Sequence, residues 1–182
     1  FHYHPTLAAL KKGYHVLVEK PMSNSLDECA EMDRVANQEG RILQVCHVLR
    51  YTEFFTKIKQ LTDEGRIGEL VTIAHNENVA YWHQAVSYVR GAWRNSLTSS
   101  PMILAKSCHD LDILYWLAGA PCKWISSFGG LKHFKKENAP EGSPEYCHLG
   151  CPKEADCPWY APRFYLNSPF SNWVLNLPEN SG

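Results

Sequence analysis

Three short stretches carry the residue types that do chemistry. The first is Glu19-Lys20-Pro21, which follows an apolar run, His15-Val16-Leu17-Val18, that reads as a buried strand of a parallel sheet. In open α/β sheets, ligands bind beyond the C-terminal ends of such strands. A lysine there can hydrogen-bond a ribose or substrate hydroxyl and bring positive charge to it, though a plain surface lysine at a strand end fits the position too. Pro21 restricts Lys20 to extended geometry or permits a cis bond. The second stretch is Lys106-Ser107-Cys108-His109-Asp110-Leu111-Asp112, at the start of an expected helix. Among nine histidines, His109 is the best general acid/base candidate, because an unperturbed imidazole titrates near neutrality. Asp110 and Asp112 sit where a helix dipole favours negative charge. The bland alternative is a helix-start histidine satisfied by local hydrogen bonds. The third is Trp93-Arg94, after Tyr81-Trp82-His83. Aromatics with one arginine suit a sugar-like or anionic ligand, and equally the edge of a core.

The cysteines divide in two. Cys29, Cys46, Cys108 and Cys122 stand singly in apolar stretches and read as reduced, buried thiols. Cys147, Cys151 and Cys157 cluster, with His148 beside the first. Three thiols could hold Zn²⁺, although the spacing matches no standard finger or ribbon. If they do, metal orders the loop from Lys135 to Asn167; the competing anchor is packing of Trp159, Phe164, Tyr165 and Phe170.

The elements that must position these residues follow from pattern. Pro5 to Lys12 reads as a short helix closed by Gly13. Ser25 and Glu28 form a capping box for a helix that Gly40 stops. Ile42 to Cys46 is a second buried strand. Helix and strand alternate with short connections, as in a parallel α/β sheet. Beyond a change of rhythm at residues 47–50, Phe54, Phe55, Ile58 and Leu61 mark a helix ending near Gly65. Leu70 to Ala80 and Trp124 to Phe134 read as strands. Ser107 to Ala118 reads as a helix, with Leu104, Cys108, Leu111, Tyr115 and Ala118 on its apolar stripe. Past Lys135 no clear period remains.

Bulk properties exclude several classes. Of 182 residues, 45% are hydrophobic and 20% charged, enough for a sizeable core in a water-exposed protein. The net charge of −1, without basic or acidic blocks, argues against nucleic acid as a partner. No apolar run approaches the ~20 residues of a membrane span, so no membrane partner and a cytoplasmic location are expected. Phe1-His2-Tyr3-His4 reads as the middle of a domain, and sequence is expected to be missing at both ends.

The run into Val18-Glu19-Lys20-Pro21, with Ala9, Gly13 and His15 before it, resembles the glucose-fructose oxidoreductase, inositol dehydrogenase and MocA family. So do Arg50-Tyr51, Ile67-Gly68-Glu69-Leu70, Trp93-Arg94 and His109-Asp110-Leu111-Asp112, in the same order. The resemblance implies an α/β protein: the C-terminal part of a Rossmann-type parallel sheet over residues 1–48, then an α+β substrate-binding domain with a large open sheet over 49–182. It implies NAD or NADP as cofactor, a sugar, cyclitol or similar polyol as substrate, and a homo-oligomer. It places Glu19, Lys20 and Pro21 at the cofactor and Lys20, Trp93, Arg94, His109 and Asp110 at the substrate. Lys20 and His109 become the catalytic pair, the histidine taking a hydroxyl proton while hydride leaves the same carbon. Two departures stand out. Many members carry an aspartate four residues before the histidine, where this chain has Ala105. The G-x-G-x-x-G phosphate loop is expected upstream of Phe1, and without it the dinucleotide lacks its helix N-terminus. Two competing readings stay open: a relative that uses NAD transiently while cleaving a glycosidic bond, and a non-catalytic module with a Cys-bound metal.

Overall fold

Two parallel strands organise the N-terminal region of the computed structural model, which describes residues 2–167. Strand β1 (Val16–Val18) pairs with β2 (Leu43–Val45) in the register Val16 with Leu43 and Val18 with Val45. The crossover between them is helix α2 (Leu26–Gln38), and helix α1 (Tyr3–Lys11) precedes β1. One core joins them: Leu7 and Leu10 of α1 pack with Met32, Val35 and Ala36 of α2, with Val16 and Leu43 against them. This face is closed, whereas Leu17 and Ile42, at 66% and 64% exposure, look outward from the sheet. The short strands behave as alternation dictates, one face in and one face out.

Local signals explain the helix ends. Ser25 Oγ accepts from the Glu28 amide at 3.4 Å, as a cap should. The second half of the expected box differs. Glu28 accepts from the Ser23 hydroxyl, and the Ser25 amide donates to Ser23 Oγ at 3.1 Å, so Ser23 completes the cap. Helix α1 starts at Tyr3, two residues before Pro5. Proline is tolerated there because first-turn amides have no intrahelical acceptor. Gly13, at φ +86°, closes that helix in the left-handed region.

A short 3₁₀ turn (Val48–Tyr51) leads into helix α3 (Glu53–Asp63), capped by Thr52, whose Oγ1 accepts from Phe55 N. The stretches expected as strands at 70–80 and 124–134 are not strands in this structure. A strand exists only with a partner ladder. Within the described residues β1 and β2 form the sole sheet, and Val71, Trp124 and Phe128 are largely exposed.

The chain divides into two units, Phe1–Asn78 with Ala92–Ile125, and Val79–Gly91 with Ser126–Gly182. The first includes a helical turn (Met102–Ala105) and the helix Cys108–Ala118, closed by Gly119 at φ +62°. That helix buries Asp110 and Ile113, while Leu111 and Tyr115 of the expected apolar stripe are about half exposed. Leu111, Ile113, Leu114, Tyr115, Trp116 and Leu117 surround it with apolar side chains, so period alone could not choose the inward face.

The second unit joins a π-helical stretch (Gln84–Val89) to a loop-rich segment and the helix Ala161–Asn167. Trp159 is its hub. Its ring lies 4.1 Å from that of His133 and 5.6 Å from that of Phe134, and its carbonyl accepts from Arg90 Nη1 at 2.5 Å. Phe164 stacks on Trp82 at 5.6 Å, and the Arg90 guanidinium lies over the Tyr165 ring. Phe170, the remaining expected anchor, lies outside the described residues. Among the described residues no helix is long and apolar enough to cross a membrane.

Candidate functional site

The first unit gathers most of the chemistry-bearing residues. Lys20 leaves the end of β1 through a cis peptide bond to Pro21. Its ammonium donates to the carbonyl of Ala105 at 2.8 Å, 85 positions along the chain. The turn from Ala105 to Cys108 thereby comes against the strand end. His109, one residue into the following helix, feels Lys20 directly. Its imidazole is held below the ordinary histidine value by burial first, then by Lys20, His47 and Lys106, with Asp110 pulling the other way. At neutral pH His109 is therefore neutral and able to accept a proton.

Other groups complete the cluster. Asp110 is 8% exposed, and its Oδ1 accepts from His75 Nε2 at 2.7 Å. Its Oδ2 is buried without a partner among the described residues. Lys106 forms an ion pair with Glu77 at 3.1 Å. Asp112 accepts twice from Arg50, at 2.7 Å from Nε and 2.6 Å from Nη2, and this pair holds the Arg50 charge more firmly than usual. The His47 ring stands edge-on to the His109 ring, centroids 6.1 Å apart. Burial pushes the Cys108 thiol up, against the pull of Lys20, which disfavours its thiolate.

Lys20, His109 and Asp110 are thus brought together. Glu19 is exposed at the strand end, and the Pro21 carbonyl accepts from His2 Nδ1 at 2.9 Å. Trp93 and Arg94 lie on exposed turns of the same unit, and the hydrogen bonds just described do not involve them. His47, His75 and Glu77 escaped the sequence reading. A signal existed for the last two. His75 and Glu77 alternate through a stretch of mixed polarity, and two helix-start aspartates downstream needed partners.

The metal expectation finds no support in the geometry. Cys147, Cys151 and Cys157 all line a cavity of about 320 Å³ in the second unit, beside Arg90 and Trp159. Yet no three His, Cys, Asp or Glu side chains among the described residues form a group able to hold a metal ion. A 3₁₀ turn over Cys147–Leu149 and Gly150 at φ +81° separate the first thiol from the second. Aromatic contacts of Trp159 and the Arg90 hydrogen bond run through the same segment.

Comparison with known proteins gives the class. The Gfo/Idh/MocA oxidoreductase family model for the NAD-binding Rossmann fold matches residues 1–47, and the model for its C-terminal α/β domain matches residues 59–157. The chain belongs to this oxidoreductase family. It is 32% identical over 122 residues to 1-carboxy-3-chloro-3,4-dihydroxycyclohexa-1,5-diene dehydrogenase of Comamonas testosteroni, covering 67% of this chain and 30% of that protein. To scyllo-inositol 2-dehydrogenase (NADP(+)) of Bacillus subtilis it is 31% identical over 121 residues, 66% of this chain and 32% of the relative. To 2,7-anhydro-N-acetylneuraminate hydratase of Mediterraneibacter gnavus it is 27% identical over 129 residues, 71% and 33%. The crystal structure of apo scyllo-inositol dehydrogenase from Lactobacillus casei superposes with a TM-score of 0.51 at 26% identity, over 65% of this chain and 33% of that one. The chain spans about a third of the length of these curated relatives.

Proposed function

We propose that this chain carries the catalytic residues of an NAD(P)-dependent oxidoreductase acting at a hydroxyl carbon of a sugar, cyclitol or similar polyol. The observation that carries the reading is the meeting of Lys20 with the turn that presents His109. A fixed ammonium lies beside an imidazole held neutral by burial and by nearby positive charge. The Glu19-Lys20-Pro21 element fits a dinucleotide, because it stands at the C-terminal end of a parallel strand and projects an ammonium beyond it. When bound, the nicotinamide supplies the hydride acceptor or donor.

His109 accepts the hydroxyl proton, which makes the carbon alkoxide-like and ready to release hydride. Lys20 stabilises the negative charge that grows on that oxygen. Trp93 and Arg94 supply apolar and hydrogen-bonding contacts to a polyol, and Asp110 holds His75 at the edge of the site. The test is spectrophotometric: reduced cofactor appearing with a panel of cyclitols and sugars, in a full-length protein. Lys20→Met and His109→Asn, both folded, lose about 10²–10⁴-fold in turnover. Unchanged rates in both remove these residues from the mechanism.

One feature favours a second reading. Ala105 stands where many members carry an aspartate, and Lys20 takes its backbone carbonyl instead. A relative that returns its hydride within one turnover would release product with no net reduced cofactor. The same assay separates the two.

A further inference from the structure

The rings of His47 and His109 come from different elements and meet at 80°, with centroids 6.1 Å apart. Both Nδ1 atoms are buried, and neither has a hydrogen-bond partner among the described residues. Leaving one such buried atom unpaired costs stability. Two of them in adjoining rings make a polar seam that stability alone does not explain. The groups around the two rings differ. His109 is in the positive field of Lys20, from the end of β1, and of Lys106, from the preceding turn and paired with Glu77 at 3.1 Å, while Asp110 on its own helix is already engaged by His75. His47 has Asp112 Oδ1 at 3.8 Å from its Nε2, on a carboxylate that Arg50 fixes in place.

We propose that His47 is the proton outlet of the site, taking from His109 the proton that the substrate hydroxyl gives up and passing it toward Asp112 and solvent. This rests on the proposed oxidoreductase reaction. The O–H bond of the hydroxyl breaks as an N–H bond forms on His109. A bound nicotinamide would supply the acceptor for the hydride, which carries away the electron pair of the broken C–H bond. The proton then crosses to His47, and His109 returns to its neutral form for the next turnover. It leaves a ring flanked by two ammonium groups for one flanked by a carboxylate. With the ring centroids 6.1 Å apart, the transfer runs through a bridging water. Reduction runs the same path in reverse. His47 touches no substrate and acts through His109, so it is a positioning residue.

The chain itself permits a test that does not depend on turnover. NMR titration of labelled imidazoles should show a His109 curve that departs from single-site behaviour, because its protonation is coupled to that of His47. His47→Phe keeps the ring and removes its nitrogens. His109 should then titrate as a single site at higher pH, a neighbouring cation having gone. His47→Gln is the second variant should phenylalanine disturb the amide spectrum. An unmoved His109 curve in a folded variant overturns the proposal. In a full-length protein with cofactor, His47→Ala should lower kcat by about 10²-fold with KM kept, and added imidazole should restore it. Wild-type kcat in His47→Ala also overturns the outlet. Absence of any hydride transfer by the wild type would instead remove the proposed reaction, while the titration still decides whether the two rings share a proton.

Discussion

Arg50 and Asp112, 62 positions apart, meet through two parallel hydrogen bonds of 2.7 and 2.6 Å, with the carboxylate only 11% exposed. The arginine comes from the 3₁₀ turn after β2, and the aspartate from the first turns of the helix that carries His109. This fork fixes the helix start against the end of the parallel sheet. The guanidinium also lies 5.7 Å from the Trp116 ring centroid, which adds a second contact to the same helix.

The first prediction follows from that geometry. Arg50→Met leaves a largely buried carboxylate with the His47 imidazole, 3.8 Å away, as its remaining ionisable neighbour. A lost hydrogen bond to a charged group costs about 1.5–3 kcal/mol, and the partial exposure of Arg50 puts the expected loss near the lower end. Arg50→Lys should recover less than half of it, since an ammonium cannot form the planar fork. Urea denaturation of the three proteins measures both effects.

A second prediction concerns pH. His109 titrates lower in the folded chain than an ordinary histidine, chiefly because burial penalises its charged form. Between the folded and unfolded values the unfolded chain binds more protons, so stability rises with pH across that window. The contribution is complete above the ordinary histidine value and is lost as pH falls through it toward the lower folded value. His109→Gln should flatten this part of the stability–pH curve. A curve that keeps its slope in the variant would place the titration on another group.

What the sequence made legible was local. Helices α1 to α3 and both strands could be read because caps, glycines and apolar runs lie within a few residues of each other. The pairing of Lys20 with the His109 turn could be anticipated only through family resemblance, since nothing local encodes a contact between residues 85 positions apart. His47 was invisible for a simpler reason: it lies two residues past β2, just before a 3₁₀ turn, where one histidine among nine has no pattern around it. The segments 70–80 and 124–134 have strand composition, but composition cannot supply the ladder partner that makes a strand. The thiol cluster misled because spacing along a chain says little about convergence when a glycine in the left-handed region turns the backbone between two thiols.

A third prediction tests the core that holds β1, and with it Lys20, in place. Met32 is fully buried between α1 and α2, against Leu7 and Leu10. Met32→Ala removes three heavy atoms from a closed interface and should cost about 2–5 kcal/mol. Met32→Leu, close in volume, should cost under about 1.5 kcal/mol. The same denaturation assay reads both. Equal losses for the two would mean that shape and not volume governs the site.

The last prediction separates the two ways of ordering the segment after Lys135. Fixing a backbone costs about 1–2 kcal/mol per residue, and this segment has few regularly spaced apolar side chains to offset it. Trp159 is the best placed to do so: it touches His133 and Phe134 with its ring, stands 6.5 Å from Tyr81, and accepts from Arg90 with its carbonyl. Its removal should therefore loosen the whole second unit, whereas chelation should not. Trp159→Ala is expected to cost somewhat less than the ~3–5 kcal/mol of a fully buried tryptophan, because the residue is only partly enclosed. Limited proteolysis should cut between residues 135 and 160 in that variant and spare the parent. Protein purified under reducing, chelator-free conditions should hold zinc well below one equivalent, and EDTA should leave its protease pattern unchanged. Retention of near-stoichiometric zinc, with new cleavage on EDTA treatment and on Cys151→Ser, would show that the thiols and not the tryptophan order this segment.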